Sequence, residues 1–406
     1  MTLATNFGIM GLTVVTGSVN ARVLGPTGRG ELAAIQTIPS ALGMFALLGL
    51  PSAVGYFSAR RPAEVRAFTA TAVAIFFIAV LPLMVSGFFW LPMALHFGQF
   101  PYLALQGLGR FGIWNLLRPV PNLVGIVAML VAYGTGAPSA GSFARWYLFL
   151  HALTIPFVFL VLWVNSKPGG EVTVARAKEL LRFGLPSAVM VPAGLLNLQL
   201  DQMLMAAWLP SAELGLYVIG VSWSGLLAPV FGAFGSVVFP TLAAVHDRAT
   251  QRVVVARAFR RAVLLVIILG AGLAAVTPFI LPLLFGRSFK AVIPSALVLV
   301  GAAVILNLGN LSGEVLRGLG VPRWPLYSQF AALPVTVILL VVLLPRWSVL
   351  GAALSSVFSY AVVLAVSVSG IRQTIGLTLR EMLVPRREDA ASLWLFGRGV
   401  LSSFVR

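Results

Sequence analysis

The stretch LALQGLGRF, residues 103–111, has a counterpart in EVLRGLGVP, residues 314–322. Both copies contain the pattern Leu-x-Gly-Leu-Gly, and each copy comes at the end of a long apolar run. Glycine is common at helix ends because it adopts backbone conformations that other residues avoid. The pattern therefore predicts two equivalent helix ends and, with them, a chain made of two related halves.

The apolar runs that precede these patterns indicate the fold class. Hydrophobic residues make up 59% of the 406 residues and charged residues only 10%, whereas roughly a quarter of a soluble chain is charged. Runs of about 20 apolar residues, the length of a membrane-crossing helix, recur along the whole chain. A transmembrane β-barrel would instead show ten-residue segments of alternating polarity. We therefore predict an all-α integral membrane protein.

Twelve membrane-spanning helices are predicted, arranged as two six-helix lobes. The spans cover residues 3–22, 32–58, 67–86, 88–109, 116–134, 145–164, 183–208, 214–241, 260–284, 292–316, 323–344 and 349–371. The lobes cover residues 1–164 and 183–371, with a cytoplasmic linker at 165–182 and a basic cytoplasmic tail at 372–406. One long helix is the alternative for the third and fourth spans.

The distribution of basic residues favours two separate crossings at that point. With both termini in the cytoplasm, 22 of the 28 Lys and Arg residues fall on the cytoplasmic side, as the positive-inside rule requires. Merging the third and fourth spans would reverse every later segment and destroy this agreement. The net charge of +17 thus reflects topology and attraction to anionic lipids, and nucleic acid is not an expected partner.

A second pair of similar segments supports the two lobes. LGPTGRGEL, residues 24–32, follows the first span, and LPSAELGLY, residues 209–217, follows the seventh. Gly30 then corresponds to Gly215. Because each lobe has an even number of spans, both lobes have the same orientation. The repeat is therefore parallel, with its axis along the membrane normal.

Several longer segments resemble a known family. They are RVLGPTGRGELAAIQTIPSALGMFALLGLPSAVGYFSAR (22–60), LQGLGRFGIWNLLR (105–118), LNLQLDQMLMAAWLPSAELGLYVIG (196–220), LLFGRSFKAVIPSALVL (283–299) and GEVLRGLGVPRWPL (313–326). In this order they resemble the Wzx-type polysaccharide flippases of the multidrug/oligosaccharidyl-lipid/polysaccharide (MOP) exporter superfamily. The resemblance runs from residue 1 to about residue 385.

This resemblance implies a function as well as a fold. Two six-helix bundles would surround a central cavity that opens alternately to each side of the bacterial cytoplasmic membrane. The substrate would be an undecaprenyl-diphosphate-linked oligosaccharide, moved from the inner to the outer leaflet, with no cofactor. A proton or a sodium ion is the candidate coupling ion. Membrane lipids and the glycan polymerase machinery are the candidate partners.

Polar side chains at helical spacing are the first candidate site residues, because polar groups within a membrane usually face a cavity or a partner. One stripe lies in the first span and consists of Asn6, Thr13, Thr16 and Asn20; another lies in the tenth span and consists of Asn307, Asn310, Glu314 and Arg317. Each stripe covers one side of its helix. The side chains either line a polar cavity or join neighbouring helices by hydrogen bonds.

Charged residues near span ends complete the candidate site. Asp201 and Glu314 are the only acids well inside the predicted spans, and Asp201 lies one turn after Asn197. Asp201 and Asn197 are candidates for ion coupling, with a structural hydrogen bond as the alternative. For the diphosphate we expect arginine, which binds phosphate through paired hydrogen bonds. The candidates are Arg22, Arg60, Arg118 and Arg317, with simple anchoring at the membrane surface as the alternative.

The remaining composition bears on other functions. The chain has no cysteine, which excludes disulfides and thiol chemistry. The three histidines, His96, His151 and His246, are far apart in the sequence, so we expect no metal site. A cation-coupled drug exporter of the same superfamily is the main rival function. A membrane-embedded polysaccharide polymerase or ligase is a weaker rival, because the predicted external loops are short.

Overall fold

The computed structural model describes residues 2–84, 95–136, 138–245 and 247–384, and each regular element in these ranges is helical. The helices are α1 (Thr2–Ala46), α2 (Leu50–Arg60), α3 (Val65–Met84), α4 (Gln99–Gly107), α5 (Phe111–Leu117), α6 (Val120–Gly134), α7 (Ala140–Val164), α8 (Val174–Trp208), α9 (Ser211–Ser224), α10 (Ala228–Ala243), α11 (Arg248–Phe285), α12 (Ile293–Gly318), α13 (Arg323–Ile375) and α14 (Leu379–Leu383). The predicted all-α class is confirmed. The chain divides into unit 1, Met1–Val218, and unit 2, Ile219–Arg406.

Seven helices of the described ranges are long and apolar enough to cross a membrane, or eight if one bent pair counts as a span. The longest, α13, has 53 residues, which is about 80 Å at 1.5 Å per residue and far exceeds a bilayer. Ser348 within it has a non-helical backbone. The hydroxyls of Thr336 and Ser359 lie 2.5 Å apart, so α13 folds back on itself at Ser348. It therefore contains the predicted spans 323–344 and 349–371.

Helix α1 reverses in the same way at Gly25, whose backbone is not helical. In a straight helix Ile9 and Ser40 would be about 46 Å apart, yet both line one cavity. The second span was predicted as one helix over residues 32–58. In the structure, the helix axis bends by 51° between Ala46 and Leu50. Proline at the start of α2 lacks the N–H group that a continuous helix would need.

The region of the third and fourth spans reverses direction as two crossings require. Helix α3 ends at Met84, and the segment 95–107 brings the chain back alongside it. The rings of Phe76 and Phe100 lie 6.1 Å apart, and those of Phe77 and Phe97 lie 5.1 Å apart. The beginning of the predicted fourth span lies outside the described residues, as do His246 and the tail from residue 385.

The two Leu-x-Gly-Leu-Gly patterns form the same helix end. After α4 the amide of Arg110 donates to the carbonyl of Leu105 at 3.0 Å. After α12 the amide of Val321 donates to the carbonyl of Leu316 at 2.9 Å. The second glycine of each pattern has φ of 70° or 77°, a left-handed conformation that glycine adopts without strain. Both ends are thus Schellman caps, which explains why the sequence repeats.

The second pair of similar segments meets in space within unit 1. A Cβ atom added to Gly30 would lie 1.6 Å from the carbonyl oxygen of Ser211, and one added to Gly215 would lie 1.9 Å from that of Pro26. Pro26 and Ser211 are separated by the same 185 residues as the two glycines. The contact therefore has local twofold symmetry, and any larger side chain would prevent it.

Candidate functional site

A cavity of about 690 Å³ within unit 1 has several polar side chains in its lining. It lies between the two arms of α1, the segment 95–107, the junction of α5 with α6, and α7. Its polar lining consists of Gln36, Ser40, His96, Gln99, Tyr102, Arg118, Tyr147, His151 and Thr154. The volume falls within the range of small-molecule sites.

Arg118 enters this cavity from a break between two helices. Helix α5 ends at Leu117 and α6 begins at Val120, because Pro119 has no N–H group to continue the helical hydrogen bonds. The guanidinium lies 4.6 Å from the ring centre of Trp114 and donates a hydrogen bond of 2.8 Å to Asn6 Oδ1. Asn6 occupies one of the five N–H donors of the guanidinium.

Two histidines face the same cavity. His151 on α7 stacks on Tyr147, with ring centres 5.6 Å apart and planes only 6° from parallel. Its Nδ1 atom is buried and has no hydrogen-bond partner among the described residues. His96, in a 3₁₀ turn, packs against Gly43, where an added Cβ atom would lie 2.7 Å from the imidazole Nδ1.

The charge of the cavity favours anions. Arg118 contributes a permanent positive charge, and the two histidines can add more by protonation. None of the described lining residues is acidic. Because charges interact strongly in a low-dielectric site, the cavity suits a negatively charged ligand and disfavours a cation.

The polar stripe of α1 lies beside the cavity, against α6. Asn6 accepts from Arg118, and the hydroxyl of Thr13 lies 3.2 Å from Asn122 Oδ1. A Cβ atom added to Gly125 of α6 would lie 3.3 Å from Cγ2 of Thr16. Asn20 is buried, and its Oδ1 has no partner among the described residues. The stripe thus makes helix–helix contacts and reaches the cavity only through Arg118.

The polar stripe of α12 belongs to unit 2 and is arranged differently. Asn307 is buried and donates to the carbonyl of Ala303 on its own helix at 2.7 Å. Asn310 is exposed, and Arg317 forms an ion pair with Glu314. Asn310 and Arg317 therefore remain accessible, whereas Asn307 is buried.

Asp201 and Asn197 are buried on α8 and do not line the cavity. Asp201 accepts hydrogen bonds from the hydroxyl of Tyr217 and, at 2.6 Å, from the amide of Gln202. Arg22 is exposed, and Arg60 is exposed with its guanidinium 4.8 Å from the ring centre of Tyr56. The structure therefore joins Asn6 to Arg118 beside the cavity and, separately, Glu314 to Arg317 on α12.

Sequence reasoning missed the histidines and their polar neighbours. His96 and His151 are remote in sequence and were interpreted separately. Two signals were present: the polar patch HFGQFP, residues 96–101, beside a predicted span, and His151 four residues after Tyr147 in an otherwise apolar helix. That spacing places both rings on one side of α7.

Comparison with known sequences relates part of the chain to one family. The sequence model of a family described as "Polysaccharide biosynthesis protein" matches residues 112–294. No curated protein sequence matches the chain. Residues 112–294 include Arg118, His151 and Asp201.

Three solved structures have the same fold. An inward-facing multidrug resistance MATE family transporter of the MOP superfamily gives a TM-score of 0.70 at 16% identity, covering 92% of this chain and 98% of that one. The lipid II flippase MurJ, in an inward closed conformation, gives 0.75 at 11% identity, covering 91% and 87%. An outward-facing MATE family transporter gives 0.54 at 15% identity, covering 92% and 94%. The chain is thus a multi-pass membrane protein that is similar in fold to these transporters and similar over residues 112–294 to a polysaccharide biosynthesis family, which agrees with the resemblance predicted from the sequence.

Proposed function

We propose that the protein is a flippase that moves an oligosaccharide linked to undecaprenyl diphosphate from the inner to the outer leaflet of the bacterial cytoplasmic membrane. The observation that carries this proposal is the unit 1 cavity, which combines Arg118 with neutral polar and aromatic groups and has no acidic residue in its described lining. The match to a polysaccharide biosynthesis family supports the same substrate class.

The groups in the cavity suit both parts of such a ligand. A guanidinium binds phosphate oxygens through two parallel hydrogen bonds. The amides of Gln36 and Gln99 and the hydroxyls of Ser40 and Thr154 can each donate and accept, which matches the hydroxyl-rich surface of a glycan. Arg118 would therefore hold the diphosphate, while the amides and hydroxyls would hold the neighbouring sugars.

Asn6 serves as a substitute for the phosphate when the cavity is empty. Its amide oxygen accepts from Arg118 at 2.8 Å, so the half-buried guanidinium keeps a partner. A phosphate carries a negative charge and can accept two parallel hydrogen bonds from a guanidinium, whereas the Asn6 amide offers one neutral oxygen. An incoming phosphate would therefore displace Asn6 at little cost.

The rival function is a cation-coupled multidrug exporter, which the similarity to MATE transporters makes the natural second candidate. A site for cationic drugs would need carboxylates. Asp201 is already hydrogen-bonded to Tyr217 away from the cavity, and Glu314 is paired with Arg317. A polysaccharide polymerase or ligase has less support, because the solved structures with this fold are transporters.

Binding measurements on the purified full-length protein in nanodiscs would test the proposal. The probe is a disaccharide joined through a diphosphate to a short polyprenyl chain. We expect Arg118→Gln to weaken binding by about tenfold or more, since a hydrogen bond to a charged group contributes ~1.5–3 kcal/mol. The affinity of Arg118→Lys for the probe should lie between those of the parent and of Arg118→Gln, because lysine keeps the charge and loses the paired geometry.

Arg110→Gln is the matched control. Arg110 is exposed and lies eight residues before Arg118 in the same predicted cytoplasmic region. Its removal should leave binding unchanged. Equal binding by the parent and Arg118→Gln would contradict the proposal. Saturable binding of a lipophilic cation without binding of the diphosphate probe would establish the exporter instead.

A further inference from the structure

We infer that His96 and His151 form a protonation site that controls the affinity of the unit 1 cavity for its anionic ligand. The inference rests on the proposed function, because the ligand it assumes is a diphosphate. It adds the groups that bind the proton, and these differ from Asp201, the residue that the sequence suggested. Protonation of the pair would strengthen binding, and binding of the anion would in turn take up protons.

The two imidazoles come from separate elements and meet at one cavity. His96 belongs to the 3₁₀ turn Leu95–Gly98, and His151 belongs to α7. The 3₁₀ turn packs directly against α7. The buried Nδ1 of His151 has no partner among the described residues, and a buried polar atom of this kind is usually hydrogen-bonded in a folded protein. A phosphate oxygen in the cavity would supply the missing acceptor for an Nδ1–H group.

The second arm of α1 is shaped to accommodate His96. A Cβ atom added to Gly43 would lie 2.7 Å from Nδ1, 2.9 Å from Cε1 and 2.9 Å from Cγ of that imidazole. These distances are too short for real contacts, so the ring lies directly on the glycine backbone. Any larger residue at position 43 would displace the imidazole of His96 without removing it.

The charged and titratable groups around the pair determine the direction of the effect. Arg118 faces the cavity from the junction of α5 with α6, Tyr102 from α4 and Tyr147 from α7, whereas α1 contributes only uncharged lining residues. The tyrosines are neutral near pH 7, because the ordinary pKa of tyrosine is about 10. Protonating both histidines would therefore place three positive charges in a cavity with no acid in its described lining.

An anionic ligand changes this balance. Three like charges in a poorly solvated cavity repel one another strongly, and a diphosphate with two negative charges compensates most of that repulsion. Proton uptake and anion binding must then favour each other by the same factor. The affinity for a diphosphate should rise as the pH falls and the two histidines become protonated.

The test measures the Kd of the disaccharide–diphosphate–polyprenyl probe at about pH 8 and about pH 5.5, on either side of the histidine range. A diphosphate esterified at both ends lacks the second ionisation that phosphate monoesters show near pH 6, so the probe keeps its charge. The parent should bind more tightly at the lower pH by roughly five- to 150-fold, the usual range for coupling between two ligands. The double variant His96→Gln/His151→Gln should bind at both pH values as the parent binds at about pH 8.

A pair of glycine variants on α1 separates displacement of His96 from general damage. Gly43→Ala moves the imidazole and should reduce the pH dependence. Gly11→Ala is the matched control, because a Cβ atom at Gly11 has no heavy atom within 4 Å; it should keep the parent profile. Thermal unfolding of each variant establishes that it is folded before binding is compared.

The outcomes distinguish the inference from the proposed function. If the parent binds equally at both pH values, or if the double histidine variant keeps the parent profile, the inference is overturned while binding through Arg118 stands. If the pH dependence disappears in Asp201→Asn and persists in the histidine variant, the coupling group is Asp201 and the inference is again overturned. If the folded parent binds no probe at either pH, the proposed function itself fails.

Discussion

The polar stripes of α1 and α12 look alike in the sequence and differ in the structure. Each places four polar residues on one side of an apolar helix. On α1, Thr13 contacts Asn122 of α6 at 3.2 Å while remaining exposed, and Asn20 is buried. On α12, Asn310 is exposed and the ion pair of Glu314 with Arg317 is only partly covered.

The difference depends on what lies opposite each helix. Arg118 lies just before α6, and Asn122 and Gly125 lie on α6; all three contact residues of the α1 stripe. Opposite α12, Gly235 of α10 leaves room for the side chain of Glu314. A Cβ atom added to Gly235 would lie 3.0 Å from Cγ of Glu314. Helical periodicity therefore identifies which residues share a side of a helix. It does not identify the partner that covers that side.

The largest expected effect is a difference in chemical accessibility along α12. The chain has no native cysteine, so each introduced thiol is the only one. Cysteines at Asn310 and Arg317 should react rapidly with a small polar maleimide, because both residues are exposed. Cysteines at Ser312 and Leu316 should be protected, since both positions are fully buried.

Asn307 sharpens this labelling experiment. The spacing alone predicts that it is as reactive as Asn310, whereas the structure buries it and bonds it to Ala303. We expect a cysteine at Asn307 to remain unlabelled. Rapid labelling there, or equal labelling around the whole helix, would contradict the difference drawn between the two stripes.

A smaller effect is expected from overfilling the contact between α1 and α6. Gly125→Leu places a large side chain where Thr16 is already 3.3 Å from the position of a Cβ atom. Overpacking of this kind costs about 1–3 kcal/mol, so the thermal unfolding temperature should fall. Gly301→Leu is the control, because Gly301 of α12 is exposed with open space around it. A similar loss in both variants would mean that the α1 stripe is no more tightly packed than α12.

The sequence was sufficient for features that depend on local pattern. Apolar runs predicted the helical membrane class, and the two Leu-x-Gly-Leu-Gly patterns predicted helix ends that the structure forms as identical caps. The reversals at Gly25 and Ser348 fall between predicted spans. The bend before Leu50 was missed because an apolar run continues through it without interruption.

The candidate site required tertiary information. Arg118 was identified from its position beside a repeated helix end, a local signal. His96 and His151 lie in different elements and become neighbours only when α7 packs beside the segment 95–107. Asp201 stood out as a rare acid, yet its hydrogen bond comes from Tyr217 in the next helix. Which of these groups binds a ligand, and on which side of the membrane each lies, remain predictions.

The smallest expected effect compares the central polar contact of each stripe by double-mutant cycles. Thr13→Val and Asn122→Ala remove a hydrogen bond between helices, and such bonds within membrane proteins average about 0.6 kcal/mol. Glu314→Gln and Arg317→Gln remove a partly exposed ion pair on a single helix, for which about 0–1 kcal/mol is usual. The two coupling energies should therefore be similar in size and should differ in their response to salt. Screening weakens an exposed ion pair, so the coupling on α12 should shrink at high ionic strength while that on α1 persists. Unfolding measured at low and high salt gives both values. Equal salt dependence of the two couplings would contradict the contrast between the neutral contact of α1 and the ion pair of α12.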